Sequence, residues 1–163
     1  MYDIILYVNY RFINLVLQLI GGMWGSMQHM KKHKNAMVIP SIFELGFHIF
    51  DKWMKLKHEG KSLQKYFDDN YIKTVAIYGL GALGSRLFEE LQGLEVKVLY
   101  VIDKNAANIN RDDVQMYTLE QKLPQVDAVI VTPIQFFYEI ERELNYKLSA
   151  DIISLEDVVE YCV

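Results

Sequence analysis

The run from Thr74 to Gly84, Thr-Val-Ala-Ile-Tyr-Gly-Leu-Gly-Ala-Leu-Gly, constrains the fold of this chain more than any other. A short apolar stretch enters glycines at positions 79, 81 and 84, and a helical pattern follows to about residue 92. Gly79 permits a tight strand-to-helix turn, Gly81 leaves the backbone open to a close approach, and Gly84 lets the helix lie against the strand. Nineteen residues beyond Gly84, a second apolar run, Val96 to Ile102, ends in Asp103.

Strand, glycine turn, helix, strand and acid in that order form the pattern of a dinucleotide-binding βαβ unit. The N–H groups around Gly81, Ala82 and Leu83 then sit at the positive end of a helix, which attracts a phosphate. Asp103 is placed to accept hydrogen bonds from a ribose diol, which favours NAD over NADP, a preference that Lys104 beside it slightly weakens. Thr132-Pro133 ends a later apolar run, Asp127-Ala-Val-Ile-Val-Thr132, and faces the same crevice. Its hydroxyl either touches ligand phosphate or ribose, or Thr132 stops the strand and caps the next helix. Arg86 neutralises a phosphate or stays a solvated surface residue; Asn105 and Asn108 read a sugar or base, or hold turns.

The remaining elements fit around this unit. Ser41 with Glu44 makes a capping box for a helix over 41–58, whose apolar positions include Ile42, Leu45, Ile49, Trp53 and Leu56. Phe43, Phe47, Phe50 and Met54 widen that stripe and read more readily as core than as interface. Gly60 ends the helix as its C′ residue, and a second helix starts at Ser62. Strands over 73–78, 96–102, 114–117, 127–132 and 152–153 alternate with helices over 82–92, 119–122, 134–147 and from Ser154 onward. Alternation of this kind implies an α/β fold, a Rossmann-like parallel five-stranded sheet in order 3-2-1-4-5, with right-handed crossovers. Its ligand crevice lies where the order reverses, between the strands starting at Thr74 and Asp127. The expected division is residues 1–40 as an apolar and basic extension with its linker, and 41–163 as the nucleotide-binding domain. Within that domain, helices fill 41–70 and the βα core 73–163.

The extension is open to three readings. Ile4 to Trp24 is apolar, but Arg11 leaves too short an uncharged run for a spanning helix, and Asp3 stands where a signal peptide would be basic. With Lys31-Lys32-His33-Lys34 following, residues 4–34 suit an anionic membrane surface. A helix docked on the domain or on a partner is the second reading. In the third, the stretch is not native and translation starts at Met23, Met27, Met30 or Met37.

A net charge of −4 argues against nucleic acid as partner. One cysteine, Cys162, excludes a disulfide framework and a cysteine metal site, which fits a reducing cytoplasm, and the four histidines show no zinc spacing. No catalytic set is complete: there is no serine nucleophile elbow and no histidine beside a candidate nucleophile. On the helix after the fourth strand, Tyr138 is followed by Arg142 where a short-chain dehydrogenase would carry Lys. Tyr78, Tyr100 and Tyr138 are the candidate acids if a partner or a homodimer completes an enzyme.

At Ile77–Gly84, Val101-Ile-Asp-Lys-Asn105 and Asp127–Pro133 the chain resembles the small NAD(P)-binding-like Rossmann domains of bacterial surface-polysaccharide biosynthesis loci. It is also similar to the amino-terminal domain of the nucleotide-sugar acetyltransferases, while the ending Ile152–Asp157 fits the first group. The resemblance covers about residues 41 to 161. It implies contacts to NAD or a nucleotide sugar from Gly79, Gly81, Gly84 and Asp103, and a glycosyltransferase-type partner. Leu83 stands where the acetyltransferase pattern has histidine, so acetyl transfer is not expected. The reading is a nucleotide-binding module in polysaccharide assembly, with a small sugar-nucleotide reductase or epimerase and a non-catalytic interaction domain as alternatives.

Overall fold

Apolar residues fill both faces of the strand that leads into the glycine turn. In the computed structural model, which describes residues 42–109 and 111–163, strand β1 spans Thr74–Tyr78. It sends Val75 and Ile77 into one core and Ala76 and Tyr78 into another. Strand β2 (Lys97–Ile102), β3 (Gln115–Tyr117), β4 (Ala128–Val131) and β5 (Asp151–Ser154) complete the sheet. All neighbours are parallel and the order is β3-β2-β1-β4-β5, as the alternation of strands and helices predicts. The fold is therefore α/β and Rossmann-like. A continuous apolar β4 belongs to a sheet covered on both sides.

Helices α1 (Ile42–His58), α2 (Gln64–Asp69), α3 (Ala82–Leu91) and α5 (Leu155–Cys162) cover one face, and α4 (Phe137–Asn145) covers the other. The first core joins Trp53, Phe67, Leu87, Leu155 and Val158 to the sheet; the second joins Ile140 and Leu144. Two helix ends follow the sequence closely. Gly60, at φ +71°, closes α1: its N–H donates to the Lys57 carbonyl at 3.0 Å and the Lys61 N–H to the Leu56 carbonyl at 3.1 Å. Ser154 caps α5, its Oγ accepting the Glu156 N–H at 3.2 Å.

Three expectations change. Ile49, Trp53 and Leu56 of α1 are buried, but Phe43 and Phe47 are 88% and 67% exposed, and Phe50 and Met54 are exposed too. The helix rests one face on α5, held by burial of Ile49, Trp53 and Leu56 and by Trp53 donating to Glu90 at 2.6 Å, so its second stripe turns outward. Residues 119–122 form a turn and no helix: the Gln121 N–H donates to the Thr118 carbonyl at 3.2 Å and Gln121 Oε1 accepts the Thr118 N–H at 2.7 Å, a single turn that Pro124, with no N–H to donate, does not extend. The helix over 134–147 starts instead as a 3-10 turn, Ile134–Phe136, behind Pro133. The readings of residues 1–41, including the Ser41 cap and the membrane-surface segment, lie outside the described residues. No described helix is long and apolar enough to cross a membrane.

Candidate functional site

Strand register builds the site. Tyr78 pairs with Ile102 on β2 and with Val131 on β4, so the residues that follow each, Gly79, Asp103 and Thr132, stand in one row at the carboxyl edge of the sheet. This is the reversal point of the strand order, where α/β sheets hold their ligands.

The three glycines have separate duties. Gly79 lies at φ +87°, a conformation that a side chain strains, and a Cβ there would stand 3.0 Å from both Thr132 Oγ1 and Pro133 Cδ. A Cβ on Gly84 would overlap the Gly79 carbonyl oxygen and stand 3.0 Å from its carbonyl carbon, so α3 sits directly on the turn. Gly81 meets nothing within 4 Å, which leaves its side of the backbone open for an approaching group.

The first backbone bond of α3 runs from the Ser85 N–H to the Gly81 carbonyl at 2.9 Å, and no side chain caps the helix. The N–H groups of Ala82, Leu83 and Gly84 therefore lie ahead of the helical ladder, at its positive end. Ala82 is exposed, while the half-buried Leu83 packs against the core.

Asp103 reaches across from β2. Its Oδ2 accepts the Leu80 N–H and its Oδ1 the Asn105 N–H, both at 2.8 Å. A carboxylate has about four lone-pair sites, so each oxygen retains an acceptor for a hydroxyl. Asn105 and Asn108 serve the following turn, the Asn108 N–H donating to the Asn105 carbonyl at 2.8 Å. Arg86 pairs with Glu89 at 2.7 Å on the exposed side of α3, which makes it a surface residue.

β4 ends at Val131, so Thr132-Pro133 stops the strand as expected, but Thr132 caps no helix. It is 6% exposed, and its Oγ1 lies 2.9 Å from the Gly79 carbonyl oxygen and 3.1 Å from that of Tyr78. A single hydroxyl proton shared by two carbonyls is not offered to a ligand, and the turn after β4 has no side-chain cap. Thr132 braces the glycine turn from the β4 side, a role invisible locally because its partners lie 53 and 54 residues away.

The candidate acids do not form a catalytic set. The Tyr-x-x-x-Lys spacing occurs at Tyr100 and Lys104, across the end of β2 and on no helix. Burial pushes the Tyr100 phenol up to about 12, with the Tyr117 phenol adding to it, and its hydroxyl donates to the Pro124 carbonyl at 2.7 Å. Tyr78 is also raised, by burial first and then by Glu143, Asp103 and Glu120. Both shifts oppose the activation that proton transfer near neutral pH needs. Tyr138 is 82% exposed on α4. Among the described residues no cluster of His, Cys, Asp or Glu could hold a metal ion. A cavity of about 730 Å³ opens along the β3 edge, lined by Val98, Arg111, Asp113, Gln115 and Met116 among others, apart from the glycine turn. The turn carries the backbone donors, the open Gly81 and the acid, which makes it the candidate site.

Residues 44–135, more than half of the chain, match the family model described as "D-isomer specific 2-hydroxyacid dehydrogenase, NAD binding domain". No curated protein and no solved structure matches.

Proposed function

Because the chain belongs to the NAD-binding-domain family of the D-isomer specific 2-hydroxyacid dehydrogenases, we propose that its glycine turn holds NAD. The free N–H groups of Ala82, Leu83 and Gly84 take the pyrophosphate, which approaches over Gly81. Asp103 accepts the adenosine ribose diol on its two remaining lone-pair sites. The 2′-phosphate of NADP would meet that carboxylate, so NAD is preferred. The observation that carries this reading is the row of Gly79, Asp103 and Thr132 along one sheet edge, with open space at Gly81. Isothermal titration with NAD, NADP, UDP-sugars and dTDP-sugars tests it. Saturable NAD binding, tighter than NADP, supports it; no heat with any of them at millimolar concentration overturns it.

The setting in cell-surface polysaccharide assembly rests on the residues quoted for that resemblance. Displacement of NAD by a nucleotide sugar supports it, and NAD binding that no nucleotide sugar affects argues against it. The chain acts as a binding module, since neither Tyr78 nor Tyr100 is poised as an acid. A homodimer formed through the outward stripe of α1 is supported by Phe43, Phe47, Phe50 and Met54, whose 4-3-4 spacing makes a seam for another helix. A concentration-dependent mass in solution that Phe47→Glu abolishes supports the dimer; a monomer at all concentrations rules it out.

A further inference from the structure

One peptide group of the turn is held at both ends. The carbonyl of Gly79 receives the Thr132 hydroxyl at 2.9 Å, and the N–H of the same peptide, carried by Leu80, donates to Asp103 Oδ2 at 2.8 Å. The two partners stand one residue past the ends of β4 and β2, the strands on either side of β1. Gly79 also donates its own N–H to the Ile102 carbonyl at 2.8 Å, and the Thr132 N–H donates to the Tyr78 carbonyl at 3.0 Å. The peptide plane between Gly79 and Leu80 is thereby fixed in angle as well as in position. Turning it over would set the Gly79 carbonyl against the Asp103 carboxylate, two acceptors facing each other.

Gly81, the N-cap of α3, follows directly on this peptide, so its angle sets where the uncapped N–H groups of the helix aim. Glycine at φ +87° has little intrinsic preference for one orientation, and the two side chains supply it. We propose that Thr132 is a positioning residue for the bound pyrophosphate: it acts through the Gly79–Leu80 peptide, opposite Asp103, and touches no part of the ligand. This rests on the nucleotide binding proposed above. It assigns affinity for the phosphates to a side chain buried behind the turn, on the side away from the ligand.

Thr132→Val keeps the shape and removes the donor. Titrations of the full chain with NAD, ADP and adenosine separate positioning from general damage, because adenosine makes no phosphate contact. The variant is expected to bind NAD and ADP roughly tenfold more weakly, the scale of one lost hydrogen bond, with adenosine unchanged. Thr132→Ser, which restores the hydroxyl, is expected to recover both affinities. Should the valine protein fold poorly, Thr132→Cys, with a weak donor of similar size, is expected to lie between wild type and the loss described. Equal weakening toward adenosine, or no recovery by serine, overturns the inference. So does unchanged NAD binding by a folded valine variant, and in that case the proposed function stands. A wild-type chain that binds none of the three overturns the proposed function and the inference with it.

Discussion

Alanine at Gly84 and alanine at Gly81 add the same methyl group three residues apart, yet they test opposite parts of the turn. In an ordinary helix interior, Gly→Ala stabilises by about 1 kcal/mol. At Gly84 the added carbon overlaps the Gly79 carbonyl oxygen, and it stands 3.0 Å from the carbonyl carbon and 3.2 Å from Thr132 Oγ1. Backbone cannot swing aside as a side-chain end can, so α3 must shift away from the turn. Leu87, Phe88 and Leu91, buried at its base, then lose contact with the sheet. Overpacking of this kind costs about 3 kcal/mol, and the gain in helix propensity offsets about 1, leaving a net loss of about 2 kcal/mol. For a chain of this size that lowers the melting temperature by about 4–8 °C. At Gly81 nothing lies within 4 Å, and φ −70°, ψ −162° suits any residue, so Gly81→Ala should stay within about 1 kcal/mol of wild type. Its methyl instead occupies the approach of the pyrophosphate, and NAD affinity should fall by about tenfold or more. Thermal melts by circular dichroism and NAD titrations on both variants read the two effects. A Gly84→Ala protein that melts and binds like wild type refutes the packing argument. A Gly81→Ala protein that binds NAD as tightly as wild type refutes the ligand argument.

Asp127 ties the start of β1 to β4, its Oδ2 accepting the Lys73 and Thr74 N–H groups at 2.9 and 2.7 Å and the Thr74 hydroxyl at 2.9 Å. The Lys73 N–H first, then the other two donors, hold this carboxyl below the usual range. Its stabilisation is complete above the ordinary carboxylate value of about 4 and is lost as pH falls through the lower folded-state value. The melting difference between wild type and Asp127→Asn should therefore shrink below about pH 4, and a difference constant with pH would refute this. Asp103→Asn offers one acceptor oxygen where the Leu80 and Asn105 N–H groups need two. It should cost about 1 kcal/mol of stability and narrow the preference for NAD over NADP, as thermal melts and paired titrations would show. Cys162 is buried and burial raises its thiol pKa, so an alkylating reagent at neutral pH should modify it only on unfolding; rapid labelling of the native chain would contradict this burial.

Sheet order was legible because the apolar runs of β1, β2 and β4 are short, β-branched and separated by helical patterns. The caps at Gly60 and Ser154 were legible because each is a local backbone problem with few chemical answers. The outward stripe of α1 was not. Its sequence is apolar over more than one face, and the face that turns inward is decided by distant partners: the core that buries Ile49, Trp53 and Leu56, and Glu90, which accepts from Trp53. Glycine positions announced the tight turn into α3, whereas the brace on it did not show. Thr132 before proline reads as a strand stop, and nothing near it in the chain reveals that its hydroxyl meets a carbonyl 53 residues earlier. At 119–122 the local signals suit a helix start, and Pro124 ends it after one turn.

The central claim is that backbone N–H groups at the start of α3 receive the pyrophosphate of NAD. Amide chemical shifts of the isotopically labelled full chain, followed through an NAD titration, test it most directly. The account predicts saturable shifts concentrated at Gly81, Ala82, Leu83 and Gly84, with Leu80 and Asp103 moving beside them. Shifts that leave these residues still, or that gather around Arg111, Gln115 and Met116 at the β3-edge cavity, would contradict it.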